Sequence, residues 1–229
     1  MADLQMLDGA IQRRTLHDEV VDRMRDMIIE GHLAADERIN ETELCRQLGV
    51  SRTPVREAIK TLASEGLIEL VRNKGAIVRR LGANEIVDML EAVAVIELYA
   101  ATVGVERASD DDIAAIVELH GQMRQLFDSR DRLSYYKLNQ AIHASIVGLT
   151  CNQTLIATHE MLQMRLRRIR YVGNEQPASW SGAMREHEKI IRALRRRDGS
   201  KLRSAIDDHL QRTRERVIQF MESAEASPS

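Results

Sequence analysis

The sequence predicts a mainly α protein, with an N-terminal winged helix-turn-helix and a C-terminal all-helical bundle. Three observations predict this class. Aromatic residues make up only 3% of the chain, which favours helices over sheets. Apolar residues recur at helical spacing along most of the chain, and a short strand-like segment follows the third predicted helix. At 229 residues the chain is long enough for two domains, each with its own core.

The first two helices have ordinary start and stop signals. Leu16 opens an amphipathic stretch that Gly31 ends. Asn40, with Glu43 three residues later, is predicted to cap a second helix that ends at Gly49.

The third helix leads into a predicted hairpin. We predict Thr53 as its N-cap and Pro54 as its first helical residue. Residues 67–72 and 76–80 are rich in Val, Ile and Leu, and they are joined by the Asn-Lys-Gly turn at 73–75. Because Asn and Gly tolerate positive φ, this pattern predicts a two-stranded wing.

Beyond the wing, the spacing of apolar residues predicts six helices. Their approximate ranges are 85–106, 109–129, 132–149, 153–172, 179–197 and 200–222. The expected organisation is a flexible tail (1–14), a winged-helix domain (15–80), a linker (81–84), a helical domain (85–222) and a disordered tail (223–229).

Charge and composition restrict the functional class. The net charge of −2 gives no global signal for nucleic acid, but residues 46–80 hold eight Lys and Arg against three Glu, and such a patch can attract a polyanion. No segment is long and apolar enough to cross a membrane, and no secretion signal is present. Cys45 and Cys151 lack metal-binding spacing, so we interpret them as reduced thiols. We expect a cytoplasmic protein without a membrane partner.

The third helix combines an apolar face with a basic one. Basic residues of this kind are often only a solvated surface, but the tight turn before the helix and the hairpin after it favour DNA reading in the major groove. The core-facing residues are Val55, Ile59 and Leu62. The residues predicted to face DNA are Arg52, Thr53, Arg56 and Lys60, with Arg46 and Lys74 placed to meet phosphates.

Residues 48–59, with the sequence LGVSRTPVREAI, closely resemble the recognition segment of the GntR family of bacterial regulators. The resemblance implies base and phosphate contacts by Arg52, Thr53 and Arg56. It also implies that the wing tip reaches the minor groove through Asn73, Lys74 and Gly75. Thr42 departs from the pattern, because some relatives carry a DNA-contacting Arg there.

Three of the seven histidines fall on inward faces of three different predicted helices. A lone inward His is usually a hydrogen-bonded core residue, but a divalent cation would satisfy three that converge. The three are His143, His187 and His209. The remaining four, which we interpret as surface or core-edge residues, are His17, His32, His120 and His159. Trp180 and Met164 are interpreted as packing residues.

The C-terminal region resembles the FCD domain of the FadR-like GntR subfamily, in its short, six-helix VanR-like type. The resemblance implies a site for a divalent metal, zinc or alternatively nickel, formed by Asn139, His143, His187 and His209. Asn139 stands where the family usually has Asp, which removes a negative charge from the site. Val93 occupies the position of a ligand-facing Arg. The resemblance further implies small organic or sugar acids as effectors.

The resulting expectation is a homodimeric repressor that binds a short palindromic operator and responds to a carboxylate metabolite. Two alternative functions are disfavoured. A metal-dependent hydrolase is disfavoured because the chain lacks HExxH and GxSxG motifs, and because Glu186 and Glu188 are expected to point away from His187. A winged helix used only for protein contacts is disfavoured by the basic third helix.

Overall fold

A computed structural model describes residues 15–173 and 177–225. The described residues divide into two compact units, the first holding residues 15–28 and 33–79, and the second holding 29–32 and the described residues from 80 onward. The predicted fold class is confirmed, including six helices in the described part of the C-terminal region. The elements are α1 (Leu16–Glu30), α2 (Glu41–Leu48), α3 (Arg52–Ser64), β1 (Ile68–Val71), β2 (Gly75–Val78), α4 (Ala83–Arg107), α5 (Asp110–Asp128), α6 (Arg132–Gly148), α7 (Gln153–Gly173), α8 (Pro177–Arg195) and α9 (Gly199–Glu225).

Local capping fixes the ends of α2. The Asn40 side chain accepts hydrogen bonds from the backbone amides of Thr42 and Glu43, and Gly49 ends the helix in the left-handed region with a φ of 67°. Because the first amides and last carbonyls of a helix lack partners within it, these contacts define both boundaries. Both predicted ends of α2 are therefore confirmed.

The start of α3 differs from the prediction. Ser51 is the N-cap and Arg52 is the first helical residue, so Thr53 and Pro54 both lie inside the first turn. A proline is tolerated there because the amides of the first turn have no partner within the helix. The prediction that Thr53 caps the helix was wrong.

The core of the first unit forms around one face of α3, where Val55, Ala58 and Leu62 have no exposed surface. The wing strands pair antiparallel, with Ile68 opposite Val78. The Ile39 amide donates to the Ala76 carbonyl at 2.8 Å, so the segment before α2 also pairs with β2. The sequence did not predict that pairing.

Helix α4 is the central element of the second unit, where it packs against α6, α7 and α9. It begins at Ala83, so the last two residues of the predicted linker are helical. At the other end α9 extends to Glu225, so residues 223–225 are helical and not part of a tail. The predicted tails at 1–14 and 226–229 lie outside the described residues. Among the described helices, none is long and apolar enough to span a bilayer.

Two helical glycines offer a matched test of this packing. A Cβ added at Gly104 of α4 would lie 2.9 Å from Leu149 Cβ, whereas one added at Gly121 of α5 meets nothing within 4 Å. We expect Gly104→Ala to destabilise the second unit by about 1–3 kcal/mol through overpacking. Gly121→Ala should stabilise it by about 0.5–1 kcal/mol through helix propensity. Urea unfolding followed by the fluorescence of Trp180 measures both, and a stabilising effect of Gly104→Ala would contradict the close packing.

Candidate nucleic-acid interface and candidate metal centre

The basic residues predicted on the third helix lie on its exposed face, opposite the buried apolar stripe. Thr53 is exposed beside them, and all of these side chains come from one continuous helical surface. Arg46 is exposed on α2. The exposed side chains of α3 are Arg52, Thr53, Arg56 and Lys60.

The wing tip is also exposed. Asn73 and Gly75 adopt positive φ values of 66° and 82°, which reverse the chain between the two strands. Lys74 lies between them at the tip of the hairpin, exposed to solvent. These three residues therefore lie where an extended wing can meet a partner surface.

Acidic residues contact three of the basic side chains, and these contacts were not predicted from the sequence. Arg56 Nε donates to Glu41 Oε2 at 2.7 Å, linking α3 to α2. Such exposed ion pairs contribute little to stability, because water and salt screen them, so phosphates can displace them. The three ion pairs are Arg46–Glu43, Arg56–Glu41 and Lys60–Glu57. Among the described residues, Arg52 has no acidic partner.

In the second unit three imidazole rings converge from three helices. His143 of α6, His187 of α8 and His209 of α9 are at most 2% exposed. Their ring centroids lie 4.8–5.1 Å apart, and one nitrogen from each ring lies within 4.8 Å of the other two. The structure thus brings together the three histidines selected from the sequence.

Two buried carboxylates orient two of these rings. Glu97 Oε2 lies 2.7 Å from His143 Nδ1, and Glu186 Oε2 lies 2.8 Å from His209 Nδ1. Because an ionised carboxylate can only accept a hydrogen bond, each Nδ1 carries the proton. The lone pair of each neutral ring is then on Nε2, and neither Nε2 has a hydrogen-bond partner in the described structure.

The electrostatics favour ionised carboxylates at Glu97 and Glu186 and neutral rings at His187 and His209. Burial would raise the pKa of Glu97, but His143 and His159 outweigh it and hold that pKa well below its usual range. Burial would likewise raise the pKa of Glu186. The hydrogen bond from His209 and the charges of His209 and Arg216 outweigh burial and lower this pKa to about 2. Burial lowers the pKa of His209 to about 4, against the effect of Glu186. Neutral imidazole is the form that binds metal.

His187 is held differently. Burial first, and then the neighbouring imidazoles, place the pKa of His187 well below its usual range. Its Nε2 lies 2.7 Å from Asn139 Nδ2, while Asn139 Oδ1 accepts from the Gln140 side chain at 3.1 Å. Asn139 is thus adjacent to the cluster as predicted, but its amide nitrogen faces His187. Rotation of the amide about its Cβ–Cγ bond would turn the oxygen inward.

These residues fit a divalent cation. His143 and His209 each keep a buried Nε2 that makes no hydrogen bond to any described residue, and His187 offers its Nε2 once the Asn139 amide turns. Leaving such atoms unsatisfied costs about 1–3 kcal/mol each, and zinc and nickel prefer imidazole nitrogen as a ligand. With Asn139 as the oxygen donor, the predicted set can hold the ion.

One prediction about the neighbouring histidines was wrong. His159 is not at the core edge, because it is 1% exposed and its Nε2 lies 2.9 Å from Glu97 Oε1. His120 is 6% exposed and lines a groove at the edge of the core. The contact of Glu186 with His209 was not predicted from the sequence. One signal for Glu97 was available, because it is a lone acid within the apolar run of α4.

A small cavity lies beside His209 and is lined mainly by aromatic and polar side chains from α6, α7 and α8. Tyr136 Oη and Trp180 Nε1 are buried and make no hydrogen bond within the described residues. Arg170 of α7 also lines the cavity, whereas Val93 of α4 is buried in the apolar core. Trp180 packs edge-on against Phe127 and Tyr135, which agrees with its predicted packing role.

Comparison with known proteins gives two family matches. Residues 16–78 match the family described as bacterial regulatory proteins, gntR family, and residues 88–212 match the FCD domain. The chain is 30% identical over 204 residues to the Nta operon transcriptional regulator of Aminobacter aminovorans, covering 86% of this chain and 92% of that protein. It is 25% identical to the HTH-type transcriptional repressor RspR of Escherichia coli K12, covering 86% of each.

The fold also has solved counterparts. Escherichia coli McbR/YncC superposes with a TM-score of 0.77 at 22% identity, covering 91% of this chain and all of that one. A GntR-type regulator from Rhodococcus sp. RHA1 superposes with a TM-score of 0.74 at 20% identity, covering 89% and 97%. At these identities the likeness establishes the fold alone.

The carboxylate behind His143 gives a direct test of the metal centre. Replacing Glu97 with Gln keeps the shape but removes the charge that holds the ring, so Zn²⁺ affinity should fall about 10- to 100-fold. Competition with a chromophoric chelator measures this affinity. Glu91→Gln, an exposed acid on the same helix, is the control and should have no effect. Equal affinities in both variants would rule out an orienting role for Glu97.

Proposed function

The chain belongs to the gntR family of bacterial regulatory proteins and carries an FCD domain, and from this premise we propose that it is a repressor released from its operator by a small carboxylate. Its family and relatives are DNA-binding transcription regulators and not enzymes, so the hydrolase alternative is dropped. The observation that carries the proposal is a basic recognition helix joined in one chain to a buried histidine cluster. The activity is assigned to the cytoplasm, where bacterial DNA lies.

The DNA-binding step is assigned to α3 and the wing. Arg52 and Arg56 have exposed guanidinium groups that can bind guanine in a bidentate way, and Thr53 is exposed beside them. Lys60, Arg46 and the wing tip are assigned to phosphates and the minor groove. Because the Arg56–Glu41 pair is exposed, exchanging it for a DNA contact costs little.

A homodimer is the assembly we propose. Apolar side chains remain exposed on α4 and α7, two helices that pack against each other: Val95 is 64% exposed, Tyr99 45% and Met161 46%. A second copy of the chain would cover such a surface. A two-fold dimer would present two recognition helices to a short palindrome.

Effector binding is assigned to the cavity beside the histidine cluster. Burial raises the pKa of Tyr136 to about 12, so its hydroxyl stays protonated and can donate a hydrogen bond. Trp180 Nε1 can only donate a hydrogen bond. Arg170 of α7 supplies a positive charge to the cavity, whereas Val93 occupies the position where the family tends to place a ligand-facing Arg. A cavity surrounded by donors suits a carboxylate. A bound divalent ion would add open coordination positions for carboxylate oxygens.

Coupling between the two events requires a change of shape. The cavity measures about 20 Å³, which is room for a single water molecule. Since an organic acid is larger, its binding must separate side chains of α6, α7 and α8. A ligand that binds the expanded arrangement more tightly shifts the protein toward it, and we propose that this arrangement binds the operator poorly.

Substitutions on α2 and α3 separate base reading from phosphate contact. With a duplex selected from random sequence by the full-length protein, Arg56→Ala should weaken binding by about 1–3 kcal/mol and relax the preference at one base position. Arg46→Ala should weaken binding to the selected duplex and to a scrambled duplex equally, and it should reduce the dependence of the affinity on salt concentration. Gel-shift titrations at several salt concentrations measure both. Unchanged affinity for Arg56→Ala would remove this residue from the reading set.

Metal content tests the histidine cluster. Protein purified without chelator or affinity-tag histidines should contain about one zinc or nickel per chain. His143→Ala should lose the metal and the effector response while keeping DNA binding. Asn139→Asp should bind the metal several-fold more tightly, because it restores a negative charge to the ligand set. Absence of metal after zinc is added back would contradict the site, and the effector would then be held by hydrogen bonds alone.

A further inference from the structure

A second concave site lies on the second unit, between α5 and α8. The groove has a volume of about 280 Å³ and shares no lining residue with the cavity beside His209. It does not involve the histidine cluster. Its polar lining consists of His120, Arg124, Glu188, Arg192, Arg195 and Arg196.

Positive charge in this groove is not balanced by the surrounding acids. Arg124 Nη2 donates to Glu188 Oε1 at 2.7 Å, which uses the one carboxylate in the lining. Arg192, Arg195 and Arg196 have no acidic partner among the residues described. Arginines near a helix C-terminus often compensate its dipole. Arg124 lies on a different helix and is paired with Glu188, so the unpaired charge of the groove comes from the three arginines at the end of α8.

His120 provides an independent observation. The residue is 6% exposed, it lines the groove, and its Nε2 makes no hydrogen bond within the described part of the chain. Burial, followed by the charge of Arg124, lowers the pKa of His120, so the ring is neutral and can present an N–H. Leaving a buried ring nitrogen without a hydrogen-bond partner is energetically costly. A ligand oxygen at the base of the groove would remove that cost.

We propose that the α5–α8 groove binds a small polyanion of the phosphate class, such as a phosphomonoester or pyrophosphate. The guanidinium groups of Arg192, Arg195 and Arg196 match phosphate oxygens in charge and in planar fork geometry. His120 donates to the same ligand from below. Duplex DNA fits less well, because its convex backbone cannot reach a nearly buried imidazole. This site is independent of the operator and of the carboxylate effector proposed above.

Calorimetric titration of the full chain with pyrophosphate at physiological salt tests the groove. The double variant Arg192→Ala/Arg195→Ala should weaken binding tenfold or more, since charge-assisted hydrogen bonds are lost (about tenfold per 1.4 kcal/mol). His120→Leu keeps the volume and removes the donor, and it should weaken binding about fivefold or more. Arg214→Ala is the control, because it removes an exposed charge on α9 outside the groove. Circular dichroism and Trp180 fluorescence confirm that each variant folds.

Three results would overturn the proposal. One is the absence of pyrophosphate binding at millimolar concentration. Another is a loss of pyrophosphate affinity in Arg214→Ala equal to the loss in the groove variants, which would indicate attraction by net charge alone. The third is a pattern in which the groove variants lose affinity for a random duplex but not for pyrophosphate, which would assign these arginines to DNA.

Discussion

Three imidazole rings buried within about 5 Å of one another are the constraint on which the second unit depends. Unpaired polar groups are costly in a helical core, so other buried groups must hold them. Glu97 and Glu186 do so for two of the rings, and His159, Gln163 and Arg216 contact those carboxylates in turn. Because these residues come from α4, α6, α7, α8 and α9, the helices must dock together before the cluster exists.

Polar pairs have opposite roles in the two units because of their exposure. The exposed Arg56–Glu41 pair is worth little, so it can exchange for a phosphate or a base without unfolding anything. The Glu97–His143 pair is at most 1% exposed, and removing either partner would leave the other uncompensated. The first unit is therefore suited to reversible surface contacts, and the second to holding a defined internal geometry.

Most of the element pattern was predictable, because caps and periodicity act over a few residues. Asn40 and Gly49 take their predicted roles at helix ends. The errors came where two local solutions are close in free energy. Ser51 and Thr53 are both good N-caps, and the helix starts at the earlier one although the Ser51 side chain makes no capping bond. The extension of α9 through residues 223–225 is a boundary difference of the same kind.

The sequence by itself determined the recognition segment, the wing and the three inward histidines, because each depends on spacing within one helix or hairpin. Tertiary structure alone decided which residues surround them. Glu97 contacts His143, which is 46 positions away in the sequence, and His159, which is 62 positions away. His209 contacts Glu186, which is 23 positions away. His120 and Arg192 share a groove only because α5 and α8 pack together. Periodicity assigns a side chain to a face of its own helix, but the partner of that face depends on helix docking.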